Sequence, residues 1–119
     1  MTKEAKIERA LSVRQPYAEQ IMLGEKVWEY RSKPCNIRER VYIYASLKPA
    51  KLDPKEIKKE WKRAGANEGE LPTGVIVGSV EIVDCKPNGA GFKWKLANPK
   101  RCRHRKPSLH PQAVFFRPF

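Results

Sequence analysis

Beyond Asp84 this chain has no acidic residue. Residues 85–119 carry nine Lys or Arg and no Asp or Glu, whereas residues 1–84 carry sixteen Lys or Arg against thirteen acids. The net charge of +12 is therefore concentrated at one end. A block of one sign points to a polyanionic partner, because each phosphate neutralised releases condensed counterions. The block shows no helical amphipathic pattern, which argues against a membrane-surface role. Cysteine is scarce and odd in number (Cys35, Cys85, Cys102) with no paired spacing. A disulfide framework is excluded on that count, and reduced thiols in an intracellular compartment are expected. There are two histidines, and Cys85, Cys102, His104 and His110 match no zinc-finger spacing, so no metal and no cofactor is expected. No stretch approaches the ~20 apolar residues of a membrane span. The start, MTKEAKIERA, lacks the apolar core of a secretory signal. A soluble cytoplasmic protein is the expectation.

Repeats, linkers and low-complexity tracts are also missing. At 119 residues the chain suffices for one domain with a real core. Residues 1–9 read as a flexible charged lead-in and residues 10–119 as the domain. Ala10 to Val13 is a candidate strand. A helix opens at Gln15-Pro16, with Pro16 at the first helical position, carries Tyr17, Ala18 and Ile21 inward, and ends at Gly24. Val27 to Arg31 and Arg40 to Ser46 read as strands. Asp53-Pro54-Lys55-Glu56 is a helix start, with Ile57, Trp61 and Ala64 at helical spacing and a solvated outer side. Gly74 to Cys85 is the longest apolar run and reads as a central strand apolar on both faces, with Gly78 marking a bend or bulge. Phe92 to Leu96 and Gln112 to Arg117 complete the strands, separated by a basic loop from Asn98 to Pro111. Five to six strands and two main helices, with one strand buried on both faces, predict a small α+β barrel.

The chemistry concentrates in Gly24 to Arg31, GEKVWEYR. In an extended segment side chains alternate, so Glu29 and Arg31 share a face with Val27, and Trp28 and Tyr30 take the other as a packed aromatic face. Lys26 sits at the mouth of the strand. Lys26 reads as a phosphate clamp, or, if desolvated beside Arg31, as a proton donor of lowered pKa, or else as a surface lysine capping the helix end. Glu29 reads as a base or as the ion-pair partner of Arg31. Arg31 reads as a phosphate or carbonyl ligand, or as the other half of that pair. Glu81 lies among valines on the central strand, so it is a general-base candidate or an anchor for Lys26 or Arg14. Ser12, Arg14, Gln15 and Tyr17 lie where the first strand enters the helix, and their polar groups are candidates for the same cleft. Lys93, Lys95, Lys100, Arg101, Arg103, Arg105 and Lys106 are the candidate phosphate contacts. Tyr30, Tyr42, Tyr44, Trp28 and Trp94 read mainly as core, with one or two available for stacking on a base.

LSVRQPYAEQIMLGEKVWEYRS, VYIYAS, TGVIVGSVEIVDC, the W-x-L-x-N-P element (Trp94, Leu96, Asn98, Pro99) and FFRP together resemble an ASCH (ASC-1 homology) domain of the PUA-like superfamily. The likeness covers roughly residues 10–119, and its most specific piece is G-x-K-x-x-E-x-R, met by Gly24, Lys26, Glu29 and Arg31. The resemblance implies a PUA-like β-barrel with a cleft between the first helix and the barrel, lined by that motif. It also implies RNA-binding relatives and bacterial hydrolases, among them a ribonuclease and an amidohydrolase of N4-acetylcytidine. The amidohydrolase pattern has a lysine at Lys26, a glutamate matched by Glu81, and a threonine where this chain has Glu29. The ribonuclease-type members keep the glutamate and match better. The reading is a monomer that binds RNA, another single-stranded nucleic acid or a nucleoside or nucleotide in this cleft. The alternative is a metal-independent hydrolase using the same groups. A protein-interaction domain with a merely structural cleft, filled by its own side chains, is the third reading.

Overall fold

The computed structural model describes residues 6–109 and 113–119. The start of the lead-in, together with His110, Pro111 and Gln112, lies outside the described residues. The elements run β1 (Ala10–Val13), α1 (Tyr17–Leu23), β2 (Trp28–Arg31), β3 (Arg40–Ala45), α2 (Pro54–Arg63), β4 (Val75–Asn88), β5 (Gly91–Arg105) and β6 (Phe115–Phe116). All strands join one sheet in the order β2-β5-β4-β3-β1-β6. The β1–β3 pair is parallel and the others are antiparallel. The ladder has two ends, so the expected barrel is instead an open six-stranded sheet in an α+β fold.

Local chemistry accounts for the helices. Pro16 stands at the N-cap of α1, one position before the first helical residue, and follows Gln15 through a cis peptide. Gly24 ends the helix at φ 79°, and its N–H donates to the Gln20 and Ile21 carbonyls. A left-handed residue there suits glycine, which has no Cβ to clash. Asp53 caps α2 by accepting from the N–H groups of Lys55 and Glu56, each at 3.1 Å. The helix then turns Trp61 and Ala64 inward. Glu60 is buried as well, so this helix is not solvated along its whole polar side.

The sheet curls because β4 is interrupted. Its pairing shifts register opposite Ile43/Tyr44 on β3 and at three points along β5. Each irregularity bends the strand and raises its twist. Regular alternation along Gly74 to Cys85 is lost as a result, and five consecutive residues, Ile76 to Val80, are buried. Leu11, Ile21, Val41, Ile43, Val80 and Ile82 fill the concave side. The curl carries Trp94 of β5 onto Phe115 of β6 with ring centroids 5.6 Å apart and planes 3° from parallel. The basic segment expected as a loop after Asn98 belongs to β5, which runs on to Arg105 along β4.

Gly78 sits beside two of these register shifts. A Cβ there would collide with the Lys100 carbonyl and the Met22 sulfur. We expect Gly78→Ala to destabilise the fold by about 1–3 kcal/mol, as overpacking does, visible as a lower urea midpoint. An unchanged midpoint would show that β5 yields easily.

Candidate functional site

The end of α1 places the first functional group. The N–H groups of Glu25 and Lys26 both donate to the Gln20 carbonyl, at 2.9 and 3.1 Å, which fixes the chain as it leaves Gly24. Lys26 then points back over the cleft, its Nζ lying 5.2 Å from the Tyr17 ring centroid and 4.8 Å from that of Tyr30. Next in sequence, β2 turns Glu29 inward and Tyr30 outward. Glu29 is 7% exposed and Tyr30 57% exposed. The charged face is thus the buried one, and the expected packed face of Trp28 and Tyr30 is half-buried at Trp28 and exposed at Tyr30.

Glu29 divides its carboxylate between two cations. Its Oε1 lies 3.6 Å from Lys26 Nζ, and its Oε2 accepts from Arg31 Nη2 at 2.8 Å. The same Arg31 nitrogen donates to the Ser12 carbonyl at 2.8 Å. That carbonyl belongs to β1, beyond the end of the two-residue β6, and the Ser12 N–H goes to Val114. Arg31 therefore satisfies a backbone acceptor for which the ladder supplies no strand among the described residues. The Glu29–Arg31 ion pair foreseen as the structural alternative is formed, and a cleft of about 960 Å³ remains open beside it.

Ser12, Arg14, Tyr17, Lys26, Glu29 and Arg31 all line that cleft. Two expected members do not. Gln15 is fully buried and structural, donating to the Pro72 carbonyl at 3.0 Å and accepting from the Glu19 N–H at 3.0 Å. Glu81 lies away from the cleft, because Val80 and Ile82 on either side of it point into the core and Glu81 projects from the opposite face, where Nη2 of its register partner Arg40 is 3.1 Å away. Its side chain is 42% exposed, so it neither sits in an apolar pocket nor anchors Lys26 or Arg14.

The second carboxylate of the cleft comes from α2. Glu60 is held by Gln20 Nε2, which donates to its Oε2 at 2.9 Å and to its main-chain carbonyl at 2.8 Å. Arg63 approaches the other oxygen at 3.5 Å. Neither Gln20 nor Glu60 was expected in the site. A glutamate followed three residues later by an arginine on a charged helix gives no sign that the pair faces inward. Four cations (Arg14, Lys26, Arg31, Arg63) line the cleft against three carboxylates (Glu25, Glu29, Glu60). Ser12 lines it too, and its hydroxyl oxygen is buried with no hydrogen-bond partner among the described residues.

Burial draws the Lys26 ammonium below the ordinary 10.5, against the opposing pull of Glu29 and Glu60. Burial likewise raises the Tyr17 phenol, and the neighbouring Glu60, Glu56 and Glu29 raise it further. Such a site can hold an anion or a polar planar group and pass a proton to it.

The basic block is spread over different surroundings. Lys93 and Lys95 lie over the Trp28 ring, with Nζ 4.4 and 5.4 Å from its centroid. Arg101 is not available as foreseen, because both its terminal nitrogens bind the Glu19 carboxylate, at 2.8 and 2.6 Å. Arg105 stacks on Phe119 at 3.8 Å. Lys100, Arg103 and Lys106 are exposed. Among the described residues no helix is long and apolar enough to cross a membrane.

A family model described as ASCH domain matches residues 11–104. No curated protein matches the chain.

The lowered Lys26 value has a thermodynamic consequence. A lysine whose folded value lies below its unfolded one binds its proton more weakly when folded, so stability rises with pH between those two values. Relative to Lys26→Met, the native chain should gain stability as pH climbs from the lowered folded value toward 10.5. Urea midpoints measured across that range provide the check, and a constant difference between the two proteins would contradict it.

Proposed function

Since this chain belongs to the ASCH domain family, which is generally associated with RNA binding, we propose that it binds one nucleotide of an RNA strand in the cleft between α1, β2 and α2. The observation that carries this reading is the convergence of Lys26, Glu29 and Arg31 on one concave surface, with Glu60 opposite. A volume of about 960 Å³ lies in the range of small-ligand sites. Lys26 and the exposed Arg14 supply charge for a phosphate. The Glu60 carboxylate supplies a hydrogen-bonding edge for a base or ribose. Tyr17 offers a ring at the entrance. The exposed cations of β5 carry the strand onward by its phosphates. The curled sheet with a helix across its opening supports a PUA-like reading of the architecture.

A second reading is favoured by one observation, the desolvated Lys26 within reach of Glu29. In a hydrolase, Glu29 would take a proton from water or a ribose 2′-hydroxyl, and Lys26 would protonate the leaving group or steady the developing oxyanion. Glu60 replaces Glu81 as the second carboxylate in that scheme. Incubation with RNA and with N4-acetylcytidine in the presence of a chelator tests it. Product should form with the native chain and be lost in both Lys26→Ala and Glu29→Ala.

The binding reading predicts that affinity for single-stranded RNA falls linearly on a double-logarithmic plot against salt, by about 0.7 per phosphate contacted. Lys26→Ala should weaken binding roughly tenfold, the scale of one charge-assisted contact, while leaving the far-ultraviolet spectrum unchanged. Fluorescence anisotropy of a labelled strand reads both quantities, and a flat salt response would remove the phosphate contacts from the proposal.

A further inference from the structure

The outer side of β2 and β5 carries a second arrangement. The two strands pair with Trp28 opposite Lys95 and Tyr30 opposite Lys93. Directly opposed residues project from the same side of a sheet, so two rings and two ammonium groups share one face. The intervening pair, Glu29 opposite Trp94, points the other way into the cleft and core. One strand further on, Lys86 lies opposite Lys93 and adds a third cation to the face.

These cations are held differently from those in the close ion pairs. Arg31, Arg40 and Arg101 each grip a carboxylate at 3.1 Å or less. Among the described residues Lys93 and Lys95 have no such partner and rest on the Trp28 ring. Lys86 reaches Asp84 only at 3.8 Å, with both side chains largely exposed. An ammonium attracted by a ring quadrupole at an exposed site is weakly held and free to exchange that contact for a phosphate. The ring it leaves presents a flat face on which any base can stack. Tyr30 is already more than half exposed, and both rings also form the rim of the cleft.

We infer that this face is a stacking platform for single-stranded RNA leaving the cleft. The inference rests on the cleft being a nucleotide site. Bases lie on Tyr30 and Trp28, and the ammonium groups of Lys86, Lys93 and Lys95 move to the phosphates. Strands lie about 4.8 Å apart and alternate residues about 6.7 Å apart, so the platform has room for about two or three nucleotides. A duplex cannot use it, because its bases are already stacked on one another.

The test compares uridine monophosphate with an oligouridylate of about eight nucleotides on the full chain and on a Lys93→Ser/Lys95→Ser double variant. The native chain should bind the oligomer at least about tenfold more tightly than the mononucleotide, from the added stacking and phosphate contacts. The double variant should lose most of that advantage, and its salt slope should fall by about 1.4, two contacts' worth for a single strand. Its affinity for the mononucleotide and its melting temperature should stay unchanged. Native oligomer affinity and slope in the double variant would overturn the platform, as would equal binding of duplex and single strand. Mononucleotide binding with no gain for the oligomer would overturn the platform alone. Failure of the native chain to bind either probe would overturn the cleft reading with it.

Discussion

The guanidinium of Arg31 joins two strands that do not pair with each other in the sheet. β2 stands at one end of the sheet and β1 lies next to the other end. Arg31 reaches from the first to the Ser12 carbonyl of the second while holding the Glu29 carboxylate. A planar fork with several fixed donors suits this double task, which a single ammonium could not perform in the same geometry. Because Glu29 is anchored on one oxygen, its other oxygen is left to face Lys26. The position of the reactive-looking lysine is thus a consequence of how the curled sheet is tied across its gap. The stacked Trp94 and Phe115 rings beneath Arg31, which lies 5.7 Å from the Trp94 centroid, add an apolar part to the same tie.

The molecule handles its surplus positive charge in two ways. Some cations are committed internally: Arg31 to Glu29, Arg40 to Glu81, Arg101 to Glu19. These serve geometry, and in exposed pairs their contribution to stability is small. Others lie over rings: Lys93 and Lys95 over Trp28 on the outer face of β5 near β2, and Arg105 over Phe119 at its far end. Counting Lys and Arg along the sequence treats both kinds alike. The structure separates them.

Much of the site was legible from residue order. The helix closed by Gly24, the strand carrying Glu29 and Arg31, and the lysine at the mouth between them depend on local rules of capping and alternation, and these hold. What escaped depended on distant pairing. Glu81 looked like a buried acid because its side of Gly74 to Cys85 carries several valines, but packing puts Val80 and Ile82 in the core and leaves Glu81 on the opposite face, against Arg40 of β3. Glu60 looked solvated because α2 is rich in charge, and only its packing against Gln20 of α1 brings it inside. The assignment of the two faces of β2 had the opposite outcome from the usual rule, since aromatic rings normally seek the core. Here the acid goes inward because the cations of Lys26 and Arg31 await it. The basic stretch after Asn98 was read as a loop from its prolines and charges, yet it pairs with β4 as far as Ile76 opposite Arg105.

The four residues of β2 present two chemistries back to back: ionised groups toward the hollow, rings toward the outside. Such an arrangement depends entirely on strand parity. Adding or removing one residue between Gly24 and Trp28 would rotate the segment by half a turn and exchange its two sides. The guanidinium would then swing out to water and an indole would press against the Ser12 carbonyl. The short connection of Glu25, Lys26 and Val27 is therefore constrained in length as firmly as the flanking positions are in chemistry, although only one of its three side chains meets the Glu29 carboxylate.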